Sequence, residues 1–237
     1  MLKDSVRGHF ALPGLIVAIA VANPSAVPVL RLARQTPQQA EAQYQYALGN
    51  VTISIPPPKG FEEVLSRVKD MRDRMPDTDR LETLAAHLPA DVVKTYAPGQ
   101  DLTFYTKVSI SKAAKTSDVP ETLFADLKKQ ISTGNVLDSE ALRKYLAGVQ
   151  QQRGITITQP IQLGVVDQTP KSITTLMLMT IGDRNRRIDV LGATSAMYLR
   201  RRLFFVYSYR VFETTKDIAV LTAFAKDWVG SIVAVNP

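Results

Sequence analysis

The last third of the chain carries β-prone runs at Ile155 to Val166, Ser172 to Ile181, Ile188 to Leu199 and Leu203 to Phe212, and the links between the last three are only a few residues long. Parallel neighbours need a crossover of a dozen or more residues, so strands joined this closely must reverse direction. Asp183-Arg184-Asn185-Arg186-Arg187 makes one reversal and Arg200-Arg201-Arg202 the next, which predicts an antiparallel meander.

A helix is expected to close the chain. It opens at Thr214-Thr215 with Asp217 as a capping-box-like partner, and Ile218, Leu221, Phe224, Ala225, Trp228 and Ile232 recur at helical spacing. That face must cover the sheet.

Upstream, Gln43 to Ala47 and Val51 to Ile55 alternate around Leu48-Gly49-Asn50, the pattern of two short strands meeting at a tight turn. Pro56-Pro57-Pro58 ends that pairing, because three prolines remove three backbone donors. Phe61 to Met75 is heavily charged with sparse apolar residues and reads as a partly helical, exposed excursion. Further strands are expected at Arg80 to Leu88 and Asp101 to Ser111, where Leu102, Phe104, Val108 and Ile110 share one parity and turn one face inward. Helical spacing follows in Val119 to Ile131, through Leu123, Phe124, Leu127 and Ile131, and again in Ser139 to Gln151, through Leu142, Tyr145, Leu146 and Val149.

These elements make an α+β fold: a mostly antiparallel sheet packed by a middle helical pair and a C-terminal amphipathic helix. The order resembles the PsbP-like fold family, which includes the DcrB-like exported bacterial proteins. The resemblance is carried by VTISIPPPKGFEEV from Val51 and LFFVYSYRVFETTKDIAVLTAFAKDWVGSI from Leu203, and it extends over Gln43 to Pro237. It implies an accessory, binding or chaperone-like role and carries over no catalytic residue. The chain departs from the family's lipoprotein members in having no cysteine.

The N-terminus supplies an address. Lys3 and Arg7 precede the apolar run Ala11 to Ala22, which closes on Ala20-Val21-Ala22, as a secretion signal does. The rival reading is an uncleaved anchor, since Ala26-Val27-Pro28-Val29-Leu30 resumes the apolar character and Arg31 and Arg34 flank it; Pro24 and Pro28 would interrupt such a span. Residues 1–22 are thus expected to be a signal peptide or anchor, 23–42 a polar tether and 43–237 one globular domain. Either N-terminal reading places that domain in the periplasm or outside the cell, or anchored at the inner membrane with the domain exported.

Loss of Lys3, Arg7 and Asp4 would lower the formal charge by one from +7. With 45% apolar residues the chain can bury a core without disulfide staples. The missing cysteines exclude a thiol nucleophile, a thiolate metal site and lipid attachment through cysteine.

Catalytic signatures are sparse. His9 lies in the signal-like segment, and His87 stands alone in LAAHLP, so it reads as a surface or core residue and not as a base. No nucleophile elbow, phosphate-cradling loop, dinucleotide fingerprint or HExxH pair occurs. Asp70, Asp73, Asp77 and Asp79 supply oxygen ligands in principle, but Arg72, Arg74 and Arg80 are interleaved with them and the spacing is not that of a calcium loop. A solvated charged face is the expectation there, with no metal and no cofactor.

The candidate contact residues are the turn arginines Arg184, Arg186 and Arg187, and Arg200, Arg201 and Arg202, which suit an anionic surface or an acidic envelope partner. A strand from Ile188 to Leu199 would hold the two clusters about 35 to 40 Å apart. Nucleic acid is not an expected partner, because no aromatic residues are interleaved with these arginines. Trp228 and the series Phe204, Phe205, Tyr207 and Tyr209 read as core packing and not as a ligand platform. The expected function is therefore an exported, non-enzymatic binding or accessory protein of the cell envelope. The alternatives are an envelope hydrolase using carboxylates and a membrane-anchored adaptor.

Overall fold

A computed structural model describes residues 44–134, 146–148, 150, 156–158, 160–182 and 186–237. The meander is present, as strands β8 (Ser172–Gly182), β9 (Arg187–Leu199) and β10 (Arg202–Val211), each antiparallel to the next. Strand β5 (Phe104–Ser111) pairs with the free edge of β10, β4 (Leu81–Pro89) with β5, and the short β3 (Phe61–Glu63) with β4. At the other end, β6 (Thr156–Ile157) and β7 (Ile161–Gln168) share one edge of β8. The run expected as one strand from Ile155 to Val166 is thus divided at Pro160, which has no N–H to give to a ladder.

Both faces of this eight-stranded sheet are covered, and here the structure departs from the one-face expectation for Asp101 to Ser111. In β5, Val108 and Ile110 face one layer, Tyr105 faces the other, and Thr106, Lys107 and Ser109 are buried between their neighbours. Strands buried on both faces lose the alternation on which a parity argument depends.

One face carries the last helix, numbered here α4 (Lys216–Ala234), and the hairpin of β1 (Gln45–Leu48) and β2 (Val51–Ser54). Leu48, Ile53 and Ile55 of the hairpin region pack with Trp228, Val229 and Ile232 of the helix over Val108, Phe204 and Val206. Asn236 fastens the two pieces: Ser54 N donates to its Oδ1 at 2.9 Å, and its Nδ2 donates to Ser54 O at 2.7 Å. The capping partner at the helix start is half realised. Asp217 accepts from Thr214 N and Glu213 N at 2.8 and 3.0 Å, while the Thr215 hydroxyl makes no capping bond. Those amide bonds, together with Arg210, hold the Asp217 carboxyl below its ordinary pKa.

The opposite face carries α3 (Glu121–Ser132), through Phe124, Leu127 and Ile131, and the segment holding α1 (Met71–Arg74). That segment corrects the reading of Phe61 to Met75 as an exposed excursion. Phe61–Glu63 is an edge strand, and Val64, Leu65, Met71 and Met75 are buried. Val64, Val68, Met71 and Met75 are spaced i, i+4, i+7, i+11, an apolar stripe that the dense charges obscure. Phe205, Tyr207 and Tyr209 pack into this layer and not against α4, whose Trp228 meets Phe204 and Val206 across the sheet. The expected helix from Ser139 to Gln151 falls largely outside the described residues.

Candidate functional site

The outer edge of the sheet at β7 combines backbone availability with exposed apolar surface. Ile161, Leu163 and Val165 are 62%, 42% and 37% exposed, and Ile161 to Val166 contains no charge. Among the described residues β7 pairs only with β8, so its other edge offers unmatched N–H and C=O groups. The pairing slips between Gln162 and Gly164 and again between Val165 and Asp167. Gly164 adopts a φ of 123°, a conformation L side chains rarely take, and it lets the chain bulge there. The strand is therefore bent away from its neighbour.

The end of α3 backs this edge. Gln162 Nε2 donates to Ile131 O at 3.3 Å, and Lys128 Nζ donates to Thr169 O at 3.4 Å. Between them lies an open cavity of about 390 Å³ lined by residues 132–134 and 162–165 together with Pro160. Polar and apolar groups alternate around it, which suits an extended peptide better than a wholly apolar ligand.

The arginines of the turns fall into different situations. Arg202 is fully buried and is not a surface contact, which corrects the sequence expectation for it. Its Nε donates to Leu48 O at 3.1 Å, Nη1 to Asp118 Oδ1 at 2.6 Å and Nη2 to Asn50 Oδ1 at 2.7 Å. These bonds tie the β1–β2 hairpin to the end of the sheet and hold the Asp118 carboxyl below its ordinary pKa. Arg202→Met would leave Leu48 O and Asn50 with lost partners, and we expect a loss of about 3 kcal/mol in urea denaturation. Arg202→Lys should recover only part of it, because an ammonium lacks the planar fork.

Arg200 and Arg201 form the two-residue turn before Arg202, with φ of 47° and 62°. That is the mirror-image turn hairpins favour, though asparagine and glycine usually fill it. The turn is held by Arg200 Nη1 donating to Thr52 O at 2.9 Å and by an Arg201–Asp118 ion pair at 3.1 Å. At the other end of β9, Arg186 pairs with Asp101 and Arg187 is exposed, so the two clusters are separated by the length of that strand. Arg184 lies outside the described residues.

The remaining sequence candidates are also placed. Among the described residues no group of three or more histidine, aspartate or glutamate side chains is arranged to hold a metal ion. Asp77 instead accepts from Thr83 N at 2.7 Å, and Asp70 accepts from the Tyr96 hydroxyl at 2.7 Å. His87 lies inside β4, fully buried, with its ring edge-on to Trp228 at 5.4 Å between centroids. None of the described helices is long and apolar enough to cross a membrane. The β7 edge had only a faint sequence signal, the alternation of Ile161, Leu163 and Val165, which by itself reads as a strand facing a core.

No protein-family model matches the chain, and no curated protein matches it. A solved structure to which it is similar is the Ran-binding protein Mog1p of Saccharomyces cerevisiae, at 10% identity and a TM-score of 0.30, covering 77% of this chain and 85% of that one.

Proposed function

We propose that this chain is an exported, non-enzymatic binding or accessory protein of the cell envelope that holds an extended segment of a partner protein along β7. The observation that carries this reading is the uncharged, bulged edge strand with Ile161, Leu163 and Val165 exposed. A strand added to such an edge gains main-chain hydrogen bonds, and its alternate apolar side chains cover those three residues. The signal-like start supports an envelope location, and the order of strands and helices supports a PsbP-like assignment. An anionic surface is the weaker partner, because Arg186, Arg201 and Arg202 each already engage an aspartate.

The test is capture from the native envelope fraction followed by mass spectrometry, with Leu163→Lys/Val165→Lys alongside the native chain. Both positions are exposed, so the variant should fold, and retention of the partner should fall by roughly tenfold or more. Equal retention by both proteins would remove β7 from the reading. Turnover in a broad hydrolase screen with no recovered partner would replace it with the hydrolase alternative. N-terminal sequencing of the mature protein distinguishes a cleaved signal, starting near Asn23, from a retained anchor.

A further inference from the structure

A second feature, independent of the β7 edge, lies where α1 meets α2 (Ala90–Thr95). Arg74 is only 4% exposed, although arginine is rarely enclosed without partners for its charge. Its Nη1 donates to the Tyr96 hydroxyl oxygen at 2.8 Å, while Nε and Nη2 are buried and make no hydrogen bond. Those two nitrogens form one edge of the guanidinium and direct two parallel N–H bonds, the shape that grips a carboxylate in bidentate fashion.

Asp70 stands one helical turn earlier. Its Oδ2 accepts from the Tyr96 hydroxyl at 2.7 Å, and its Oδ1 is buried with no partner. Residues four apart on a helix commonly pair directly, but here the phenol of Tyr96 bridges the two side chains and each is left with unused capacity. Tyr96 also lies under the guanidinium, 5.8 Å from ring centroid to Cζ. Asp70 and Tyr96 are half-buried, so the cluster reaches solvent on their side.

A buried donor or acceptor left unmade costs about 1 to 3 kcal/mol and more when charged, so three such atoms around one phenol call for an occupant. The occupant must satisfy both signs. A phosphate or a bare carboxylate would match Arg74 but meet the Asp70 carboxylate, and a simple cation would match Asp70 but meet the guanidinium.

We propose that Arg74, Tyr96 and Asp70 form a binding site for a small zwitterion of the α-amino-acid type. Its carboxylate lies on Nε and Nη2 of Arg74, and its ammonium lies on Oδ1 of Asp70. The ligand is neutral overall, which is what a site of one buried cation and one carboxylate accepts at least cost.

The test uses the full chain and each common α-amino acid at about 10 mM in a thermal-shift assay, since a ligand of the native state raises the melting temperature. The best is then titrated by calorimetry beside its decarboxylated amine and its deaminated acid. Each analogue is expected to bind roughly tenfold or more weakly than the amino acid, and Arg74→Lys and Asp70→Asn are each expected to weaken it by about the same factor. If Arg74→Lys does not fold, the near-isosteric Asp70→Asn decides. The proposal is overturned if no amino acid shifts the melting temperature, if the deaminated acid binds as well as the amino acid, or if Asp70→Asn binds like the native chain.

Discussion

Trp228→Ala is expected to destabilise the protein by about 4 kcal/mol, the range for removing a large buried aromatic ring. Trp228 is the one tryptophan of the chain, and three separate parts of the fold meet at it. Its indole lies in the core between α4 and the sheet, packed with Leu48, Ile53 and Ile55 of the hairpin region and with Phe204 and Val206 of β10. Its Nε1 donates to Pro56 O at 2.8 Å, fixing the start of the proline run, and its face receives the ring of His87. Alanine would leave a cavity under both the hairpin and the helix and would leave the Pro56 carbonyl without its donor. Far-UV circular dichroism in urea is the suitable measurement, because the variant has no indole fluorescence. Trp228→Phe keeps most of the ring and loses the hydrogen bond, so a cost of about 1 to 2 kcal/mol is expected. A loss below that for the alanine variant would show that α4 and the hairpin do not close on this residue.

The second large effect is acid destabilisation through His87. Burial pushes its imidazole down to about 3, from an ordinary value near 6.5. The ring is enclosed in β4, with Nδ1 2.9 Å from Thr106 Oγ1 and Nε2 without a partner. The carboxylate across the β3–β4 pairing, Glu63, is held by Leu65 N at 2.7 Å and by the Ser66 hydroxyl at 2.5 Å. Between pH 6.5 and 3 the unfolded chain therefore binds a proton at this histidine that the folded chain refuses. The stability is fully present above about pH 6.5 and falls by about 1.4 kcal/mol for each pH unit below it, down to pH 3. Asp118 and Asp217 have depressed values, so their contributions are present above the ordinary carboxylate pKa and fade only as pH falls below it. Urea midpoints at pH 7, 6, 5 and 4.5 isolate the histidine. His87→Leu should flatten that slope, and an equally steep slope in the variant would assign the acid effect elsewhere.

Local chemistry made much of the framework legible. The basic links around β9 are too short for a crossover, and they are the reversals observed. Phe124, Leu127 and Ile131 show a helical stripe in sequence and a buried face in α3. His87 read as a core or surface residue because it stood alone, and it is a core residue. The sites were much less legible. Arg202 looked like its two exposed neighbours, and only the arrival of Leu48, Asn50 and Asp118 from distant parts of the chain encloses it. Arg74 looked like a neutralising charge among aspartates, and Tyr96, 22 residues away, is what turns its fork into a free one.

By itself, then, the sequence determined where strands and helices form, that the terminal strands run antiparallel and that thiol chemistry is absent. These follow from periodicity, link length and composition, which act over a few residues. Only the tertiary structure decided that the sheet is covered on both faces, that Trp228 and the Phe205–Tyr207–Tyr209 row lie on opposite sides of it, and that β7 is left at the edge. Burial and hydrogen-bond partnership depend on which distant segments arrive, and a charged side chain carries no local mark of whether water or a carbonyl will meet it.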